Sequence, residues 1–462
     1  MSARRPRDGR LGWTSGARPV TLGSSMRTFV IVLLGQLVSH LGSALTQFSL
    51  SVWSYQQTGS TTSSALVLLS GALPEILLTP FAGSLADRRN RRLILLWSSL
   101  GAGACVTVLA WVLYAHPSEL RYVYLAVAGS SFFVALQPPA FVASVASMLP
   151  SKQLGRANSL IMLGTAGAPI LAPFLAGQLL GSIGLSGVVM LDLVSFLVAA
   201  ATFFFVSFGQ VTPAQGSSFT PGVMLADLRL GVSYVMARPG LLGLLLFSIV
   251  LNFNTGMVQA LITPVVLSFT TASVLGRVMS LGGIGALVGG LLMSLWGGPR
   301  RRIRGVLIFS LLQAVALCAS GLRPSVPLIT ASAFLFLMLY TALAATYHAL
   351  WQIKVGAEVQ GRVFAVRTLV GLAFTPLAYG IAGPLADHVF EPLLLPDGVL
   401  ASTAGLIFGV GHGRGAALLL SLVGLSAGLV ALAGLLHPRL RRLEDDLPDL
   451  EQEPQSAHGS TP

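Results

Sequence analysis

Long apolar blocks, broken by short stretches rich in Gly, Pro, Ser and Arg, dominate this chain. Each block approaches the roughly 20 residues that a helix needs to cross the hydrocarbon of a bilayer. The blocks do not alternate apolar and polar positions with period two, as the strands of a membrane barrel would. In a bilayer only helices and closed barrels satisfy every backbone polar group internally. The pattern therefore predicts an all-α membrane protein with twelve transmembrane helices, at 27–52, 63–86, 93–115, 120–148, 158–183, 188–209, 239–267, 271–296, 303–322, 327–349, 364–388 and 414–437. Around them, residues 1–26 read as a basic tail without the apolar core of a signal peptide, and 438–462 as a solvated tail. Residues 210–238 read as a linker that turns amphipathic, with Leu225, Leu228, Val232 and Val235 on one side, fit to lie on the membrane surface.

Composition agrees. Of the 462 residues, 54% are hydrophobic and only 10% charged, against about 25% charged in soluble domains. The net charge of +12 needs no nucleic acid, because the basic residues sit at membrane borders. With the N-terminus inside, all of the 28 Lys and Arg fall on the cytoplasmic side except Arg121, Arg277, Arg323 and Arg414. That bias places both termini in the cytoplasm, in a multi-pass protein of the cell (plasma or inner) membrane. Cys105 and Cys318 lie inside apolar spans and read as small buried hydrophobes. No metal cluster, nucleophile–base pair or nucleotide loop is legible, so no enzyme activity and no cofactor is expected. Gly409–Gly415 looks like a phosphate loop, but it follows no strand and reads as a flexible loop.

Shifting the chain by 212 residues superposes its halves. Gln36, His40, Ser43 and Gln47 in the first span fall on Ser248, Asn252, Thr255 and Gln259 in the seventh. At about 100° per residue each set occupies one stripe roughly 60° wide. The same offset carries Arg88, Arg89 and Arg92 onto Arg300, Arg301 and Arg304. Gly155-Arg156 recurs as Gly361-Arg362, and Gly177 as Gly383. The chain is a six-helix unit used twice, 27–209 and 239–437, as in many secondary transporters.

The loop Gly83-Ser84-Leu85-Ala86-Asp87-Arg88-Arg89-Asn90-Arg91-Arg92 resembles the signature loop of the major facilitator superfamily, with Asn90 where that family has glycine. Asn is the best substitute for a left-handed turn residue, so the turn is expected to survive. Gly83 is expected to allow close helix approach, and Asp87 suits a helix N-terminus. The second half has Pro299 in place of the acid. The resemblance implies a latch between the two halves, formed by Gly83, Asp87, Arg88, Arg91 and Arg92 with Gly361 and Arg362 at the start of span 11. Leu154–Leu160, Gln360–Ala365 and Gly383–Asp387 resemble the branch that contains macrolide efflux proteins and the enterobactin exporter. Gly164–Pro173 looks like a degraded form of the Gly-Pro motif of family exporters, though a packed proline kink explains it equally well.

The resemblance also implies that spans 1, 4, 7 and 10 line a central cavity. Here those spans carry Gln36, His40, Ser43, Gln47, Gln137, Asn252, Thr255, Gln259, Tyr340 and Tyr347 as candidate lining. Ionisable groups inside the membrane cost at least ~2.5–3.5 kcal/mol and so point to function. Glu75, His40 and Asp192 are the candidates for proton coupling, Glu75 lying nearest the middle of a span. The expected function is export of an amphipathic small molecule against inward proton flow by a monomer, with an uptake porter, a lysophospholipid flippase or a non-transporting membrane sensor or assembly protein as alternatives. The expected partners are that small molecule, protons and the lipid bilayer.

Overall fold

The structure, a computed structural model, describes residues 25–116, 118–205 and 221–437. The tails and the first part of the linker fall outside it. Its first seven helices are α1 (Ser25–Thr58), α2 (Thr61–Arg88), α3 (Arg91–Ala115), α4 (Leu120–Val134), α5 (Gln137–Met148), α6 (Ser151–Ser182) and α7 (Gly184–Phe205). The linker helix α8 (Pro221–Met236) follows. Then come α9 (Pro239–Leu267), α10 (Ala272–Trp296), α11 (Arg302–Leu322), α12 (Val326–Lys354), α13 (Ala357–Leu385) and α14 (Arg414–Leu436). Among the described residues, twelve helical stretches are long and apolar enough to cross a membrane. They form two six-helix bundles, α1–α7 and α9–α14.

One expected span is broken. The fourth is interrupted at Ala135–Leu136, where α4 stops and α5 begins. Pro138 and Pro139 are the cause: neither has an N–H to continue the ladder of α4, whereas both are tolerated in the first turn of a new helix. Gln137, the first residue of α5, thus stands at a discontinuity inside the membrane. Asn90 also differs from expectation. It is not left-handed, having φ −64° and ψ 110°, and its side chain caps α3 by accepting from the amides of Arg92 and Leu93. Asn is among the strongest N-capping residues, and that preference decides the turn. The arginines beside it complete the joint. Arg91 donates to Ala143 O at 2.8 Å, and Arg92 donates to Phe203 O at 2.8 Å and to Phe204 O. These are carbonyls in the last two turns of α5 and α7, where the negative end of the helix dipole favours a cation.

The bundles meet along two seams, α2 against α13 and α6 against α10. At the end away from Arg89–Arg92 both seams are tight, because glycine removes the side chain where backbones touch. A Cβ on Gly177 would lie 2.7 Å from Ala272 O, and one on Gly276 would collide with Pro173 O. A Cβ on Gly383 would collide with the backbone of Thr62. Gly177 and Gly383 are repeat mates, and each packs on the first turn of the helix it meets. Ser280 donates to Ile170 O at 2.6 Å and Gln178 to Ser273 Oγ at 2.9 Å, closing the α6–α10 seam further.

Toward the arginine-rich end the helices part. In α2, Thr61, Ser64, Ala65, Val67 and Gly71 are buried, but none of residues 72–79 is. In α6, Ala168, Ala172, Pro173, Ala176 and Gly177 are buried, but none of 158–167 is. A Cβ on Gly83, Gly155 or Gly361 would meet nothing within 4 Å, so the close approach expected at Gly83 is not made in this conformation. The linker helix α8 docks its Gly231 and Val235 side on α13 and leaves Val232 exposed.

The glycine crossings generate a prediction. Gly276→Ala and Gly383→Ala are each expected to widen the sealed end, seen as a longer spin-label distance between the start of α2 and the end of α13 or between α6 and α10. Unchanged distances in both variants would show that the crossings tolerate a methyl group.

Candidate functional site

Polar side chains collect along the α2–α13 seam and on the faces of α1 and α9. The seam is antiparallel. Tyr379 and Gly383 on α13, and Asp387 in the π-helical turn Ala386–Phe390 that continues it, follow one another at four-residue intervals. Asp387 crosses to the start of α2. Its carboxylate accepts from Ser60 Oγ at 2.6 Å, from the Thr61 and Thr62 amides at 2.8 Å each, and from Thr62 Oγ1 at 2.7 Å. An acid from one bundle therefore caps a helix of the other, where a negative charge meets free N–H groups and the positive end of the helix dipole. Deeper in, Tyr379 donates to Gln259 Oε1. Glu75 of α2 lies near enough to Tyr379 to interact with it electrostatically. The Glu75 carboxylate is exposed, at the level where the buried part of α2 ends. Span 2 thus contributes to the site, and Tyr379 is a member that the sequence reading missed. Its signal was present: an i, i+4, i+8 series ending on an acid.

The stripe on α1 divides. Gln36 donates to Gln137 Oε1 at 2.7 Å, joining α1 to the break between α4 and α5. Gln36 Oε1 and Gln137 Nε2 are buried without a partner. Gln47 points to Gly71 of α2, whose added Cβ would stand 2.8 Å from its Nε2. Ser43 turns to α7, donating to Asp192 Oδ1 at 3.3 Å. His40 is half-buried between these two directions.

On α9, Asn252 donates to Ser248 O at 2.7 Å, and its Oδ1 would lie 3.3 Å from a Cβ on Gly371 of α13. Thr255 donates to Leu251 O within its own helix, at 2.8 Å, and sits beside the Tyr340 hydroxyl. Tyr340 stacks on Phe336 with ring centroids 6.5 Å apart. Tyr347 belongs to the packed core: it is 7% exposed, donates to Leu244 O at 3.2 Å and meets Trp351 edge-on.

At the arginine-rich end, Arg362 pairs with Asp227 of α8 at 2.7 Å, both about half exposed. Surface pairs of this kind contribute ~0–1 kcal/mol. Arg367 bonds the His348 ring at 2.6 Å and lies 5.2 Å from the Phe364 ring centroid, while its Nη1 is buried without a partner. The side chains of Asp87 and Arg88 lie outside the described ones. At the opposite end the Gly409–Gly415 loop is bound by its own chain. Glu391 accepts from the Gly413 amide at 2.5 Å and the Gly415 amide at 3.1 Å, which occupies the N-terminus of α14. A groove of about 780 Å³ between α3 and α4, lined by Cys105, Val108, Trp111 and Tyr122, belongs to the first bundle alone.

Two repeated six-helix bundles, sealed at one end and parted at the other with polar groups along the seam, define a membrane transporter rather than an enzyme. Residues 32–379 match the Major Facilitator Superfamily, and the chain belongs to that family. It is 24% identical to macrolide efflux protein A of Streptococcus pyogenes over 379 residues, 78% of this chain and 90% of that protein. It is 24% identical to the multidrug efflux pump Tap of Mycolicibacterium fortuitum, over 78% of this chain and 89% of that one. Its fold is shared with a bacterial homologue of the human lysosomal transporter Spinster in an inward-facing, unoccupied conformation. There the TM-score is 0.65 at 14% identity, covering 89% of this chain and 96% of that one.

The Asp387 cap generates a prediction. Asp387→Ala strips two amides of their acceptor, and loss of such a cap costs ~0.5–2 kcal/mol. Hydrogen exchange at Thr61 and Thr62 is expected to rise by about two- to thirtyfold, with little change at the start of α3. Equal protection in variant and wild type would show that the cap carries no energy.

Proposed function

We propose that this transporter exports an amphipathic small molecule from the cytoplasm by alternating access, driven by inward proton flow. The single observation that carries this reading is the asymmetric seam: the bundles are locked at one end by glycine crossings and the Asp387 cap, and part at the other. If the arginine-rich end is cytoplasmic, as the positive-inside bias requires, the molecule stands open to the cytoplasm, ready to load. The names of its efflux relatives favour export over uptake. The cavity candidates are uncharged apart from His40, and the open helices are lined by leucines such as Leu73 and Leu77. This favours an amphipathic substrate over a polyanion.

Glu75 is the acid placed for coupling. Among the described residues its carboxylate makes no hydrogen bond or ion pair, the residue is exposed where the seam opens, and it is near enough to Tyr379 of the other bundle to act on it electrostatically. Closing the open end would bury it, and burial favours the protonated form. Ligands and protons shift such equilibria only through differential affinity for the two states, and a carboxylate exposed in one state and buried in the other supplies that difference. Glu75→Gln is expected to abolish accumulation driven by a proton gradient in proteoliposomes while leaving counterflow exchange, which needs no net proton movement. Equal driven accumulation in variant and wild type removes Glu75 from the mechanism.

The latch belongs to the other state. Asp87 has the start of span 11 as its counterpart, where the Nη1 of Arg367, unpartnered among the described residues, and the first amides of α13 are donors ready to meet a negative charge. Asp87→Asn is expected to favour the state open at the arginine-rich end and to cut turnover at least about tenfold. Wild-type turnover together with wild-type spin-label distances across that end would overturn the role.

A further inference from the structure

Asp192 of α7 is buried to 2% exposure and takes no part in the mechanism above. Among the described residues no Arg, Lys or His forms an ion pair with it. A bare carboxylate in a low-dielectric interior is strongly unfavourable, so buried charges are paired, bind metal ions or are neutralised. What surrounds Asp192 is a set of hydroxyls. Ser43 Oγ of α1 lies 3.3 Å from Oδ1, and Ser195 Oγ lies 3.4 Å from the same atom while donating its proton to Asp192 O at 2.6 Å. The Thr46 hydroxyl is directed at the same carboxylate. It is 6% exposed and, among the described residues, within interacting range of Asp192 but outside hydrogen-bond geometry to any group. Gly42 makes the arrangement possible, since a Cβ there would collide with Ser195 Oγ and lie 2.9 Å from Asp192 Oδ1.

The spacing decides between two accounts of this cluster. A strong hydroxyl–carboxylate hydrogen bond spans about 2.5–2.7 Å; the Ser43 bond to Oδ1 is long beside that at 3.3 Å, and the Ser195 contact longer still at 3.4 Å. Oxygens at about 2.4 Å around a hard cation in an octahedral shell are about 3.4 Å from one another, and Ser43 Oγ and Ser195 Oγ stand 3.3 and 3.4 Å from Asp192 Oδ1. One carboxylate among neutral hydroxyls supplies a single negative charge and so suits a monovalent ion. We propose that Asp192, Ser43, Thr46 and Ser195 form a binding site for a Na⁺-sized monovalent cation between α1 and α7. Ser43 is half-buried and lies on the α1 face that also carries His40, which gives the ion a way in. The site does not depend on the direction of transport or on Glu75.

The test uses purified full-length protein, without substrate or gradient. Its thermal unfolding is followed in NaCl, KCl and choline chloride at equal ionic strength. An ion that binds only the folded form at ten times its Kd raises the folded-to-unfolded ratio about elevenfold. Na⁺ is expected to raise the midpoint saturably over choline, and K⁺ to do so less. Ser43→Ala and Thr46→Val, which keep the fold's volume, are each expected to raise the half-saturating Na⁺ concentration about tenfold, the effect of losing one good ligand at ~1.4 kcal/mol. Asp192→Asn is expected to erase the response. Equal midpoints of the wild type in Na⁺ and choline overturn the site. So does a stabilisation that follows acidity alone with no preference among the salts, which would mark a protonated carboxyl.

Discussion

Inside a bilayer, water is not there to satisfy a polar backbone or to drive helices together, so helices associate through packing and internal hydrogen bonds. In this protein that constraint is met most tightly at two crossings, α6 on α10 and α13 on α2. Each crossing depends on glycine: Gly177 and Gly276 at one, Gly383 at the other. With no Cβ, backbone meets backbone, and the bundles are fixed to each other at one end. Lever arms of helix length run from those crossings toward the arginine-rich end, where residues 72–79 of α2 and 158–167 of α6 lose their buried face. Position of the cleft, exposure of Glu75 and the open surroundings of Gly83 all follow from that geometry.

Three acids on the membrane-spanning helices show how differently one kind of group can be used. Asp387 is satisfied by four donors from the opposite bundle, so its charge is held by helix amides and hydroxyls and ties two bodies together. Glu75 is exposed and has no hydrogen bond or ion pair among the described residues, and the Tyr379 side chain of the other bundle is within electrostatic range. Asp192 lies between two helices of the same bundle, and rocking one bundle on the other leaves its neighbours where they are. Satisfaction, exposure and rigid-body membership therefore separate the three better than depth along the helix does.

Much of the fold was legible because the bilayer imposes simple rules. Apolar length gave the twelve crossings, and the 212-residue offset gave the twofold use of one unit. Features that needed partner identity were not legible. Asn90 was expected as a left-handed turn residue because that is the role of the family glycine it replaces, whereas its side chain makes it an N-cap. Tyr347 shares a seven-residue spacing with Tyr340, but the first is walled in by Leu244 and Trp351 while the second faces Thr255. Seven residues turn a helix about 20° short of two full turns, enough to move a side chain from one neighbour to another. Tyr379 went unnoticed because its significance lies in Glu75 and Gln259, more than a hundred residues away in the chain.

The repeat makes the two seams equivalent in backbone and unequal in charge. Neither α6 nor α10 contains an Asp or Glu, and their contact is built from Pro173, Gly177, Gly276 and the Ser280 bond to Ile170. The α2–α13 pair carries Asp87 at one end, Glu75 between and Asp387 at the other. The repeat mate of Asp87 is Pro299, and the position matching Asp387 in the first half is Gly181. A proton can alter the energy only of a contact that contains a group able to bind it. At the α6–α10 seam there is no acid to respond, and its close packing does not depend on a proton. The α2–α13 seam, by contrast, carries acids at its two ends and in the middle. The symmetry that lets one unit be used twice is thus broken in charge: one seam is held by glycine and proline contacts without an acid, and only the other holds groups that could couple its packing to protons.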